Sequence, residues 1–146
     1  MTQLVFPKEL VEKIFLDVKQ KAPEEACGVL GGRIEEEKNF VLTVYVCRNV
    51  STKPKVAYSI APEDLAKAFT DIESRGLEIL GFYHSHPFGL VKPSETDKSG
   101  VTWYNEFYVI SNLKKEITAW KWDRNQRDFV EEEIVILESR IFEEDK

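Results

Sequence analysis

Residues 77–97 read LEILGFYHSHPFGLVKPSETD, and the fold turns on how their first half is read. The apolar run over 77–84 is too short for a helix before the loop at Pro87, so it is expected to be a strand. Side chains alternate between the faces of a strand, which puts His84 and His86 on one face. They are the only two histidines in the chain. An isolated His-x-His in a strand is usually a packing or surface feature, but neutral imidazole is also the commonest metal ligand. A catalytic zinc takes three protein ligands and keeps one open position. Beyond the loop, which has the slack to bring it back, Asp97 is the nearest suitable carboxylate, since Glu95 points elsewhere on a helical turn. Ser94 and Asp97 equally fit a capping box that starts a helix, and the two readings are compatible.

Working upstream, Ala61-Pro62-Glu63-Asp64 start a helix whose apolar face is Leu65, Ala66, Phe69 and Ile72. Gly76 ends it, with Arg75 beside the negative helix terminus. Residues 2–6, TQLVF, suit a short strand, and Pro7 begins a helix on Leu10, Val11, Ile14, Phe15 and Val18. That helix should stop near Ala22, because Pro23 disfavours helical geometry before it. Residues 24–34, EEACGVLGGRI, read as a short buried strand broken at Gly31-Gly32. The charged tip IEEEKN joins it to FVLTVYVCRNV (40–50) as an antiparallel pair, followed by a loop over 51–61. Downstream, SETDKSGVTWYN (94–105) allows a short helix. EFYVISNL, EITAWKWD and FVEEEIVIL supply three more strands, with a turn at Asp123-Arg124-Asn125. The order β-α-β-β-α-β-(α)-β-β-β predicts an α/β fold: one domain over 1–146, a mixed sheet flanked by helices, and a tail from about 139 to 146.

A formal net charge of −6 argues against nucleic acid as a partner. No apolar run approaches the ~20 residues that span a bilayer, so no membrane partner is expected. The N-terminus lacks a secretory pattern, and the expected location is cytoplasmic. Cys27 and Cys47 form no CxxC pair and read as two buried thiols, with a disulfide between them as the alternative if the source is a hyperthermophile. Trp103, Tyr104, Trp120 and Trp122 either line a groove or pack the sheet.

His84-Ser85-His86-Pro87, six residues, then Ser94-Glu95-Thr96-Asp97 spells HxHPx6SxxD. Glu25, in PEEACGVLGG, precedes a strand that follows the first helix. With these elements the chain resembles the JAMM/MPN+ zinc metalloproteases, of the stand-alone archaeal and bacterial type. The resemblance implies a curved sheet of the MPN/JAB, cytidine-deaminase-like fold. It implies one Zn2+ per chain held by His84, His86 and Asp97, with water in the fourth position. Glu25 would be the general base that passes a proton to the leaving amine, with Glu24 the competing choice. Ser94 would stabilise the oxyanion, and Cys27 would be structural. The implied reaction is hydrolysis between the C-terminal Gly-Gly of a ubiquitin-like small modifier protein and a lysine, so the expected partners are small archaeal-type modifiers and their conjugates. Such a tail would add a strand to an exposed sheet edge. Two further readings stay open: trimming the C-terminus of a sulfur-carrier protein, and a non-catalytic MPN scaffold. A homodimer is compatible with either.

Overall fold

A computed structural model describes residues 2–138 of the chain; the expected tail over 139–146 lies outside them. The first strand, β1 (Gln3–Pro7), runs straight into α1 (Lys8–Lys21), for which Pro7 is the N-cap and Ala22 the C-cap. Next come β2 (Cys27–Glu35), β3 (Lys38–Cys47) and α2 (Pro62–Ser74). After them follow β4 (Glu78–Ser85), α3 (Glu95–Ser99), β5 (Phe107–Ser111), β6 (Ile117–Asp123) and β7 (Asp128–Leu137). The strands are ordered β1-β3-β2-β4-β5-β6-β7, and the sheet closes because β1 pairs in parallel with both β3 and β7. This is the mixed, helix-flanked sheet of a single compact α/β fold, curved to the point of closure.

Two apolar layers explain the continuous apolar reading of β2 and β4. Leu30, Leu80 and Tyr83 pack with Leu10, Ile14 and Val18 of α1, while Val29 and Phe82 turn the other way to meet Ala68 and Ile72 of α2. Both faces are covered, so polar alternation is lost. Gly28 makes the close approach possible: a Cβ there would stand 2.1 Å from the Tyr45 carbonyl oxygen and 2.2 Å from the Tyr83 ring. The Tyr83 hydroxyl then donates to buried Asp17 of α1 at 2.7 Å.

Two local expectations need correction. Gly31-Gly32 does not end β2; the register shifts there and the strand continues to Glu35. Such a bulge keeps most of the ladder and bends the strand. On α2 the buried small residue is Ala68, and Ala66 faces outward. Gly76 ends α2 with φ +68°, the left-handed geometry glycine adopts without cost. Among the described residues no helix is long and apolar enough to cross a membrane.

Candidate metal centre

The central position of β4 puts His84 deep in the molecule, 2% exposed, between Cys27 of β2 and Ile110 of β5. His86 stands just past the strand, where its N–H still donates to the Ser111 carbonyl at 2.9 Å. Asp97 comes from the first turn of α3. The Ser94 hydroxyl oxygen accepts from the Asp97 N–H at 3.0 Å, and Asp97 Oδ2 accepts from the Ser94 N–H at 2.9 Å. The capping box and the convergence on the histidines therefore coexist. The intervening loop is pinned rather than slack. His86 Nδ1 bonds the Leu90 carbonyl at 2.8 Å, Asn112 Nδ2 donates to Gly89 at 3.0 Å, and Thr118 Oγ1 donates to Val91 at 2.6 Å.

The Leu90 carbonyl can only accept, so His86 Nδ1 carries the hydrogen and neutral His86 turns a lone pair from Nε2 toward its neighbours. Those neighbours are His84 Nε2 at 3.2 Å and Asp97 Oδ2 at 3.1 Å, and His84 Nε2 is also 3.1 Å from Asp97 Oδ2. Three ligand atoms at ~2.0–2.1 Å from a tetrahedral ion stand about 3.3 Å apart. The observed triangle has that size, and a cation is what reconciles electron pairs brought so close. These side chains fit a zinc ion.

Glu25 lies just before β2, 5% exposed, while Glu24 is exposed and outside the site. Glu25, His84 and His86 offer ligand atoms that all lie within 4.8 Å of one another. Two carboxylates thus compete for the third ligand place. Asp97 makes the tight 3.1 Å contacts to both imidazoles; Glu25 belongs only to the looser cluster, and its buried Oε1 has no hydrogen-bond partner among the described residues. An unsatisfied buried oxygen calls for a water or a substrate group.

Burial pushes the Glu25 carboxyl up to about 7, with His86 pulling against the shift and Asp97 adding to it. Burial alone would raise Asp97 as well, but its bonds to His84, His86 and the Ser94 amide outweigh that and hold it well below the ordinary carboxylate range. Burial lowers His84; in His86 the Asp97 and Leu90 contacts overcome it and raise the ring. Between 4.5 and about 7 the folded chain keeps a proton on Glu25 that the unfolded chain has released. The metal-free protein therefore loses stability as pH rises through that window. Glu25→Gln is expected to melt higher than the parent at pH 8, both held metal-free by chelator, with the gap closing by pH 4. Equal gaps at the two pH values, read by calorimetry, would contradict the shift.

The family described as prokaryotic homologs of the JAB domain matches residues 7–123. The chain belongs to this family. A desampylase of Haloferax volcanii is 37% identical over 100 residues, 68% of this chain and 70% of that protein. A desampylase of Pyrococcus furiosus is 33% identical over 117 residues, covering 80% and 79%. A protein of Desulfitobacterium hafniense, solved in solution, superposes with a TM-score of 0.84 at 28% identity, covering 93% of this chain and 94% of that one. The JAB-domain chain is accordingly an enzyme, a hydrolase of the protease class.

Beside the JAB-domain centre opens a cavity of about 300 Å3, lined in part by Tyr58, Ile60, Phe82, Trp103 and Tyr108. Of the four aromatic candidates only Trp103 belongs to it. Trp122 packs edge-on against Phe129, Tyr104 carries Arg124 over its ring, and Trp120 donates to Thr118. Tyr58 carries no sequence signal because it lies in the irregular 51–61 stretch, where no periodicity marks a half-buried residue. Its ring stacks on His84 with centroids 4.4 Å apart and planes 16° apart. Cys27 and Cys47 face each other across β2 and β3 as free, buried thiols. Burial pushes them up to about 12 and about 11. Neither is a thiolate at neutral pH, in keeping with a structural role.

Proposed function

We propose that this JAB-domain hydrolase is a zinc isopeptidase that separates the C-terminal Gly-Gly of a ubiquitin-like small modifier from a lysine side chain. The observation that carries this reading is the 3.1–3.2 Å triangle of His84, His86 and Asp97, with the Glu25 oxygen that has no partner among the described residues beside it. His84, His86 and Asp97 would hold the ion. Bound there, zinc would supply Lewis-acid polarisation of the scissile carbonyl and lower the pKa of water toward neutral pH. Glu25 takes the proton of the attacking water on its free Oε1 and delivers it to the leaving lysine amine. The desampylases among the relatives support a modifier conjugate as the substrate.

The sheet closes, with β1 pairing β3 over Lys38–Phe40. Further along that side of β3, α1 packs against it and Lys13 Nζ donates to the Val44 carbonyl, so the expected strand addition is not placed on this edge. Pairing with an extended tail falls instead to the segment around Tyr58 and Ile60. Ser59 and Ala61 bond back to Val50 and Arg48. Backbone groups alternate sides along an extended chain, so those of Tyr58 and Ile60 are turned away from Arg48 and Val50, in a segment whose residues line the cavity.

Ser94 uses its oxygen as an acceptor for the helix cap, which leaves its O–H free to donate to the developing oxyanion. Ser94→Ala is expected to lower kcat by about 10²–10³-fold at unchanged zinc content. Ser94→Thr, which keeps both cap and donor, should retain more activity. Equal losses in the two variants, measured by steady-state kinetics, would remove Ser94 from the mechanism. The reading as a whole is tested on a Gly-Gly–lysine conjugate: cleavage by zinc-loaded protein, none after chelation, and return on adding zinc. Cleavage that survives metal removal, or no cleavage of the conjugate while a carrier–cysteine adduct is cut, would overturn it.

A further inference from the structure

Glu25 is not held by the sheet. It precedes β2, and both of its backbone polar groups are taken by the irregular segment that follows β3. Its N–H donates to the Pro54 carbonyl at 2.8 Å, and its carbonyl accepts from Asn49 Nδ2 at 3.0 Å. The same Nδ2 bonds the Ala57 carbonyl at 3.1 Å and lies a longer 3.4 Å from that of Pro54. Asn49 Oδ1 accepts from the N–H groups of Ser51 and Ser59, each at 3.0 Å. The bonds to Ala57 and Ser59 grip the chain on both sides of Tyr58, the residue stacked on His84. An exposed loop residue needs no such network, and a side chain that saturates donor and acceptor alike fixes one geometry.

We infer that Asn49 is a positioning residue that sets, through one side-chain amide, the main chain of Glu25 and the strap bearing Tyr58 against His84. Its catalytic consequence rests on the isopeptidase reading above; its structural consequence does not. The adjacent residue has its own anchor. Ala26 N–H donates to Ser85 Oγ at 2.7 Å, and Ser85 N–H donates to the Ala26 carbonyl at 3.0 Å. Losing Asn49 therefore loosens Glu25, left with its N–H bond to Pro54, and the strap at Tyr58, left with the backbone bonds of Ser59 and Ala61, while β2 stays registered on β4. The metal ligands keep their own supports: the β4 ladder for His84, Leu90 for His86 and the Ser94 cap for Asp97.

The test is Asn49→Ala in the full, zinc-loaded chain, with turnover, zinc content and the imidazole resonances of the two histidines read together. A displacement of reacting groups of about 1 Å costs on the order of 10²-fold, and kcat is expected to fall by that much with zinc unchanged. Protons stacked over an aromatic face are shielded by its ring current. The His84 ring signals should therefore move downfield toward their positions in Tyr58→Leu, while those of His86 stay. Asn49→Asp keeps the two accepted bonds and loses the donated ones. It should show the kcat loss with a smaller His84 displacement, and it decides the matter if the alanine variant does not fold. Parent kcat with unmoved His84 signals overturns the inference, as does an equal displacement of both histidines with loss of zinc, which would mean general loosening. If the parent cleaves no conjugate, the isopeptidase reading fails, and the His84 signals alone judge Asn49.

Discussion

Glu25→Gln is expected to leave one zinc per chain and to lower kcat by about 10²–10⁴-fold, the range general-base catalysis contributes. Glutamine matches the size of glutamate and can still hydrogen-bond a water, but its amide cannot take the proton. The carboxylate stands outside the 3.1 Å contacts that join Asp97 to both imidazoles, so removing its charge should not release the ion. Zinc analysis and single-turnover cleavage on the same preparation separate the two effects. A variant that holds zinc and turns over at the parent rate would show that the proton goes elsewhere. A variant that loses zinc would make Glu25 a ligand.

Asp97→Ala should do the reverse, removing the metal and the activity together. Among the described residues Asp97 brings the only oxygen that bonds both histidines, and it is held ionised by His84, His86 and the Ser94 amide. Without it the two imidazoles face an uncompensated gap, and two ligands from the chain do not retain a catalytic zinc. The loss of affinity should exceed the 10–100-fold that follows removal of a mere supporting partner. Asp97→Asn keeps the helix-capping oxygen but not the charge, so it should fold like the parent and still bind zinc poorly. Competition with a chromogenic chelator measures this directly. Parent-like affinity in Asp97→Asn would mean that the third ligand is another group.

The elements that carry the site were legible because short-range rules place them. Pro7, Pro23 and Gly76 bound the helices, the apolar runs around Leu30 and Phe82 are buried on both faces, and Ser94 with Asp97 forms a local cap. What was not legible depends on contacts distant in sequence. Gly31-Gly32 looks like a break because a bulge is settled by the partner strand, and closure of the sheet needs β1 to meet β7 some 130 residues later. Asn49 and Tyr58 gave no signal, because a lone asparagine and a lone tyrosine in a loop follow no period. Their importance arises only when Glu25 and His84 arrive beside them. Side chains that lie on strands and caps can be placed from spacing, whereas a strap held by contacts distant in sequence cannot.

The most direct measurement is an anomalous-difference map at the zinc edge from crystals of the parent chain grown with zinc. A single peak per chain is predicted about 2.0–2.2 Å from His84 Nε2, His86 Nε2 and an Asp97 oxygen, with the Glu25 carboxylate outside bonding distance. A peak bonded to Glu25 in place of Asp97, or no peak between the two imidazoles, would contradict it.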